Sequence, residues 1–372
     1  MADALTNQYG PEVPALLAER FAAVYADFPT KQFLSKCLQG YDALGLMARG
    51  QRIAEVMAES LPQDFLVAAD IVQNSLAEPL TTDRSFAMAG FVYLPHGFFV
   101  ANQGIHHHAR SMALLHAITQ RFTSEFAIRR FLLEQPEATL MVLDTWCHDP
   151  NEHVRRLVSE GTRPRLPWAA RLPAFQADPT AVIALLEQLK DDTSSYVRRS
   201  VANNLNDISK DHPQRVLAIA KAWLVDADDN RRALVRHGLR SLIKAGDAQA
   251  LALMGFEPTT AVKLAQVSFV PTSPRRGEYL QISCQLSNEG QQTQSLCVDL
   301  RIHYLRQNGR YGIKVFKWKT LSLAAGESSV LSYRLSLADM TTRRHYEGRH
   351  LASVLVNGTV YELGEFELRA AD

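Results

Sequence analysis

The chain has 372 residues, 47% hydrophobic and 21% charged, which is the composition of folded protein and more length than one core comfortably uses. With 40 Lys and Arg against 39 Asp and Glu, the net charge is +1; a globally basic nucleic-acid binder is excluded, and any polyanion must be held by a local patch. The cysteines Cys37, Cys147, Cys284 and Cys297 have no CxxC spacing, so buried thiols in a reducing compartment are expected rather than a zinc site or disulfides.

The N-terminal stretch MADALTNQYGPEVPALLAERF lacks the basic, apolar and small-residue regions of a signal peptide. No apolar run approaches the ~18 residues of a membrane span. The expectation is a cytoplasmic protein with no membrane partner.

From residue 1 to 256 apolar residues recur at three- and four-residue spacing, and the stops fall at Gly or Pro, which predicts an all-α domain. In GIHHHARSM the histidines 106–108 are consecutive, and on a helix they would diverge by about 100° each; no metal is expected. The sequence holds no Walker loop, GxGxxG or GxSxG, so no nucleotide cofactor or serine-hydrolase chemistry is expected either.

In DPNEHVRRL, Asp149 is expected to cap a helix with Pro150 in its first turn. DPTAVIALLEQL repeats that start at Asp178 and Pro179, and the VRR of 154–156 returns at 197–199. Such a period fits HEAT-like helix pairs stacked into a solenoid, whose curvature supplies a concave face. Val154, Leu157 and Val158 form one apolar stripe, and Val197, Val201, Leu205 and Ile208 the next. Arg156 and Glu160 then share a face at i and i+4, while Arg199, Asn203 and Asp207 align on another. Asparagine is a mediocre helix former, so the asparagines in VANNLND need a role other than propensity.

The arginines Arg155, Arg156, Arg163, Arg165, Arg198 and Arg199, with Lys210, cluster on these two repeats. Guanidinium forks suit phosphate, and a line of them can follow a nucleic-acid backbone; a salt-bridged helix surface has the same composition. Beyond Gly161, Pro164 and Pro167 stiffen a segment that ends at Trp168. Trp168 either packs between repeats or offers an aromatic face to a cation, with Glu160 nearby.

From residue 262 to 372 the texture changes to short alternating segments separated by Gly, Asn, Pro and Ser, the pattern of an antiparallel sandwich. This part is locally basic at Arg306, Arg310, Lys314, Lys317, Lys319, Arg343, Arg344 and Arg349. It is expected to grip DNA.

Three blocks, TSEFAIRRFLLEQPE (123–137), WCHDPNEHVRRLVSEGTRPRLPWA (146–169) and YVRRSVANNLNDISKDHP (196–213), together resemble the AlkC branch of the alkylpurine DNA glycosylases, related to the AlkD branch. The sandwich resembles, in texture, the immunoglobulin-like domain of some AlkC members. The resemblance implies hydrolysis of the N-glycosidic bond of 3-methyladenine, and of 3-methylcytosine as well, in double-stranded DNA by a monomer that associates with the nucleoid when bound. It implies catalytic positions at Glu125, Glu160, Trp168 and Asp207. The DNA contacts expected are Arg155, Arg156, Arg163, Arg165, Arg198, Arg199, Asn203 and Lys210. A noncatalytic HEAT-repeat scaffold binding DNA or protein is the alternative.

Overall fold

The computed structural model describes residues 9–79, 89–258, 261–340 and 343–371. Among the described residues the helices are α1 Glu12–Val24, α2 Thr30–Leu38, α3 Leu46–Ser60, α4 Phe65–Asn74, α5 Leu94–Gln103, α6 His108–Thr119, α7 Ile128–Glu134, α8 Pro136–Trp146, α9 Glu152–Gly161, α10 Pro173–Ala177, α11 Thr180–Leu189, α12 Ser195–Ile208, α13 Pro213–Trp223, α14 Asp229–Gly238, α15 Arg240–Ala245 and α16 Ala248–Leu253. The strands follow as β1 Val262–Val270, β2 Tyr279–Asn288, β3 Gln294–Leu305, β4 Tyr311–Leu323, β5 Ser328–Ser336, β6 Gly348–Val356 and β7 Thr359–Leu368.

In the helical part, α8 packs on α9, α11 packs on α12, and α9, α12 and α14 lie side by side. That is a stack of helix pairs, and the apolar stripes explain it. Val154, Leu157 and Val158 on α9, and Val197, Val201, Leu205 and Ile208 on α12, are all buried. Each contributes about 1.5–3 kcal/mol of burial. At the C-terminal end of α9, a Cβ on Gly161 would stand 2.6 Å from Ile128 Cγ2, so the absence of a side chain lets α9 close onto the start of α7.

The strands form two antiparallel sheets, β1-β2-β5 and β4-β3-β6-β7. Alternate residues point inward: Leu280, Ile282, Cys284 and Leu286 from β2 meet Val298, Leu300 and Ile302 from β3 and Ala352, Val354 and Val356 from β6 in one core. All four cysteines are free and buried.

Helix gives way to strand between Leu253 and Val262. The chain's two compact units divide elsewhere: one comprises Met1–His212 with Ala227–Gly238, the other Pro213–Asp226 with Leu239–Asp372. In the second unit α15 ends against the β6–β7 turn, where Gly246 and Gly358 both have positive φ. A Cβ on Gly358 would lie 2.5 Å from the Gly246 carbonyl oxygen. Asn357 Nδ2 donates to Glu257 O at 2.7 Å, adding a polar tie at the same place.

Candidate active site

The start of α9 differs from the sequence expectation. Asn151, not Asp149, is the N-cap, its side chain accepting from His153 N at 2.8 Å. Asp149 accepts from Asn151 N at 2.8 Å and faces His116 Nε2 at 2.7 Å. Asparagine caps as well as aspartate does, which frees Asp149 for the histidine. At α11, Asp178 Oδ1 accepts from Thr180 N at 3.0 Å, as a capping side chain does.

Three carboxylates from three segments converge near the C-terminal ends of α9 and α12. Glu125 lies in the turn before α7, Glu160 in the last turn of α9, and Asp207 in the last turn of α12. All are buried, with relative exposures of 9%, 5% and 1%. Arg156 and Arg163 join them. Arg156 Nη1 is in direct contact with Glu125 Oε2 and donates to Thr123 Oγ1 at 3.0 Å. Its Nη2 is 3.5 Å from Glu160 Oε1. Arg163 Nη1 donates to the same Glu160 oxygen at 2.7 Å, and its Nε donates to Asp207 Oδ2 at 2.9 Å. Lys210 Nζ closes the array at 3.0 Å from Asp207 Oδ1. The helical i, i+4 relation of Arg156 and Glu160 is thus present, but Glu125 is the closer partner of Arg156, and Arg163 holds Glu160.

The electrostatics follow from that packing. Burial raises the Glu160 pKa, but Arg156, Arg163 and the Ser200 hydroxyl together outweigh it and leave the carboxyl below its ordinary value. Burial opposes the charge on Arg163 as well, and Glu160 and Asp207 reverse that effect, raising its pKa. Three anions and three cations share a small volume, and Glu160, held between two of the cations, is the carboxyl this pairing holds down.

Ser200 Oγ donates to Glu160 Oε2 at 2.7 Å and receives Ser159 Oγ at 2.7 Å. Asn204, fully buried, donates from Nδ2 to Ser159 O at 2.8 Å and to Thr162 Oγ1 at 3.0 Å. Asn203 Oδ1 faces His237 Nε2 at 3.0 Å. The helix-averse asparagines therefore bind neighbouring helices. Ser200 and Arg129 were not singled out from sequence; the available signal was polar residues at helical positions next to the apolar stripe.

Trp168 is 73% exposed and has φ of 62°. It does not pack between repeats. A left-handed backbone at a non-glycine residue costs about 1–3 kcal/mol and is typical of functional segments.

The remaining expected contacts separate by environment. Arg155 forms a fork onto Asp192, at 2.6 and 2.9 Å. Arg198 bonds Thr193 O and Asn230 Oδ1, both at 2.9 Å, and Arg165 bonds Asp211 at 3.0 and 2.6 Å. Arg199 is exposed on α12. Asp207, expected on the same polar face as Arg199, is instead buried and paired with Arg163 and Lys210; eight positions along a helix leave it about 80° round from Arg199. Of the three histidines, His106 and His107 precede α6 and His108 begins it. The His107 ring stacks on Phe65 at 5.3 Å, and His108 Nε2 is 3.1 Å from Thr139 Oγ1. Among the described residues no group of His, Cys, Asp and Glu is arranged to hold a metal. No described helix is long and apolar enough to cross a membrane.

Stacked helix pairs with buried carboxylates and an exposed tryptophan, followed by an immunoglobulin-like sandwich, place the chain among the helical-repeat DNA alkylation repair proteins. Residues 121–242 match the family model described as DNA alkylation repair enzyme, and residues 263–370 match that of the YhaZ C-terminal Ig-like domain. The chain is 40% identical to Pseudomonas fluorescens alkylpurine DNA glycosylase AlkC, solved bound to DNA containing an abasic site analog, with a TM-score of 0.89 over 99% of this chain and 100% of that one. It is 35% identical to the uncharacterized protein YhaZ of Bacillus subtilis (strain 168), over 99% of this chain and 100% of the relative. The chain belongs to the AlkC family of alkylpurine DNA glycosylases.

Proposed function

We propose that the protein removes cationic alkylated bases from double-stranded DNA by hydrolysing the N-glycosidic bond, with 3-methyladenine the principal lesion and 3-methylcytosine a second. The convergence of Glu125, Glu160 and Asp207 on Arg156 and Arg163, with the exposed Trp168 five residues further along the chain from Arg163, carries this reading. An N3-alkylated base already bears positive charge, so it departs as a neutral molecule with the bonding electron pair and needs no strong general acid. The sugar is left with oxocarbenium character at C1′. Buried carboxylates stabilise that charge and orient the water that attacks C1′, whose proton passes to a carboxylate or to solvent.

In this reading Asp207 and Glu160 lie nearest the sugar and the water, Trp168 stands against the lesion nucleotide, and Glu125 supports them through Arg156. Lys210, with its side chain 44% exposed, is the paired cation best placed to turn from Asp207 to a phosphate. The helical part to residue 256 performs the chemistry and the sandwich from 262 grips the duplex; the enzyme acts as a monomer in the cytoplasm at the nucleoid. It needs no metal or nucleotide cofactor. A scaffold that only binds DNA has no use for three carboxylates buried at this point.

Incubation with methylated duplex DNA followed by alkali tests the reading. Strand breakage at lesions, with free 3-methyladenine in solution, is expected. Intact strands and no released base would favour the scaffold.

A further inference from the structure

We infer that Arg129 is a positioning residue for base excision, pinning both ends of the segment that carries Trp168. The inference rests on the glycosylase reading above. Arg129 projects from α7 and is 2% exposed. Its Nε donates to Ala170 O at 2.7 Å, and its Nη1 donates to Gly161 O at 3.0 Å and to Arg163 O at 2.8 Å. One guanidinium therefore holds the end of α9, the backbone of the residue that links Glu160 to Asp207, and the chain just beyond Trp168.

Stability alone does not account for this arrangement. Arg129 donates to three backbone carbonyls rather than to a carboxylate, and burial together with Arg163 holds its pKa down to about 10. Burying such a cation is costly, and a well-packed apolar side chain is often as stabilising or more so. The guanidinium offers what an apolar group lacks, a rigid planar fork that fixes several acceptors at once. Between those acceptors the backbone takes the left-handed turn at Trp168, whose ring is left facing solvent. Released at Ala170, the segment would keep its residues but lose the placement of the indole.

Single-turnover release of 3-methyladenine and duplex affinity, measured for Arg129→Gln and Arg129→Lys in the native and Trp168→Ala backgrounds, test the inference. Misplacement on the scale of an ångström costs about 100-fold in rate, so Arg129→Gln should lose about that factor while binding DNA unchanged. In the Trp168→Ala background the same change should cost little. Lysine, a point charge without the fork, should restore only part of the rate. An equal loss in both backgrounds, or a loss of rate that merely tracks affinity, would overturn the inference. Hydrogen exchange on the full chain reads the clamp without activity and without a variant. Amides of 162–171 should be protected in the native protein, and unprotected amides would remove the clamp even if base release is confirmed; native protein that releases no base would instead overturn the glycosylase reading.

Discussion

Arg163 Nε stands 2.9 Å from Asp207 Oδ2, although 44 positions separate them in the chain. The same guanidinium reaches Glu160 at 2.7 Å, so one cation sets the spacing of two buried carboxylates. Arg163→Ala should destabilise the protein by about 3–5 kcal/mol, because it leaves both anions buried without their shared partner. Urea unfolding checks this, and adding Asp207→Asn to Arg163→Ala should recover part of the loss.

The Glu160 pKa supplies a pH dependence. Its folded-state value lies below the ordinary 4.5, so the unfolded chain binds the proton first as pH falls. The stabilisation is fully present above the unfolded value and disappears as pH drops through the folded one. The urea midpoint should therefore fall as the solution is taken from neutrality to below pH 4.5. In Glu160→Gln that part of the decline should be missing.

Arg155 and Arg199 separate two roles that look alike in sequence. Arg155 is engaged with Asp192, whose side chain is 4% exposed; Arg155→Ala should cost about 3 kcal/mol of stability. Arg199 is exposed on α12, so Arg199→Ala should leave stability unchanged, weaken binding to all duplexes alike and reduce the salt slope by about 1. Filter binding across a salt series reads the difference.

Trp168 is exposed, and its removal opens no cavity. Trp168→Ala should leave the unfolding midpoint unchanged and slow base release by the equivalent of about 1–3 kcal/mol, the value of one base–aromatic contact. Trp168→Phe should retain part of the rate. Single-turnover kinetics with a thermal melt on each variant would show it.

The helical part and the sandwich were legible because their signals are local: Val154, Leu157 and Val158 repeat at helical spacing, and Leu280, Ile282, Cys284 and Leu286 alternate as a half-buried strand must. Of the candidate site, the positions of Glu160 at a helix end and of Trp168 beyond two prolines were legible. Its partnerships were not. The contact of Arg156 with Glu125 and the bond of Arg163 to Asp207 depend on how repeats stack, which periodicity does not encode. Arg129 escaped notice because a buried arginine bonded to carbonyls looks in sequence like any other arginine on a helix. The α9 cap also escaped, since Asp149 and Asn151 offer equivalent acceptors and only His116 decides between them.

The most direct measurement follows free 3-methyladenine from methylated duplex DNA under single-turnover conditions, for the native protein, Glu160→Gln and Asp207→Asn, with duplex affinity measured in parallel. Native protein should release the base, and both variants should bind DNA as well as the native protein while releasing essentially none. Full release by both variants would contradict the assignment of the buried carboxylates to glycosidic-bond cleavage.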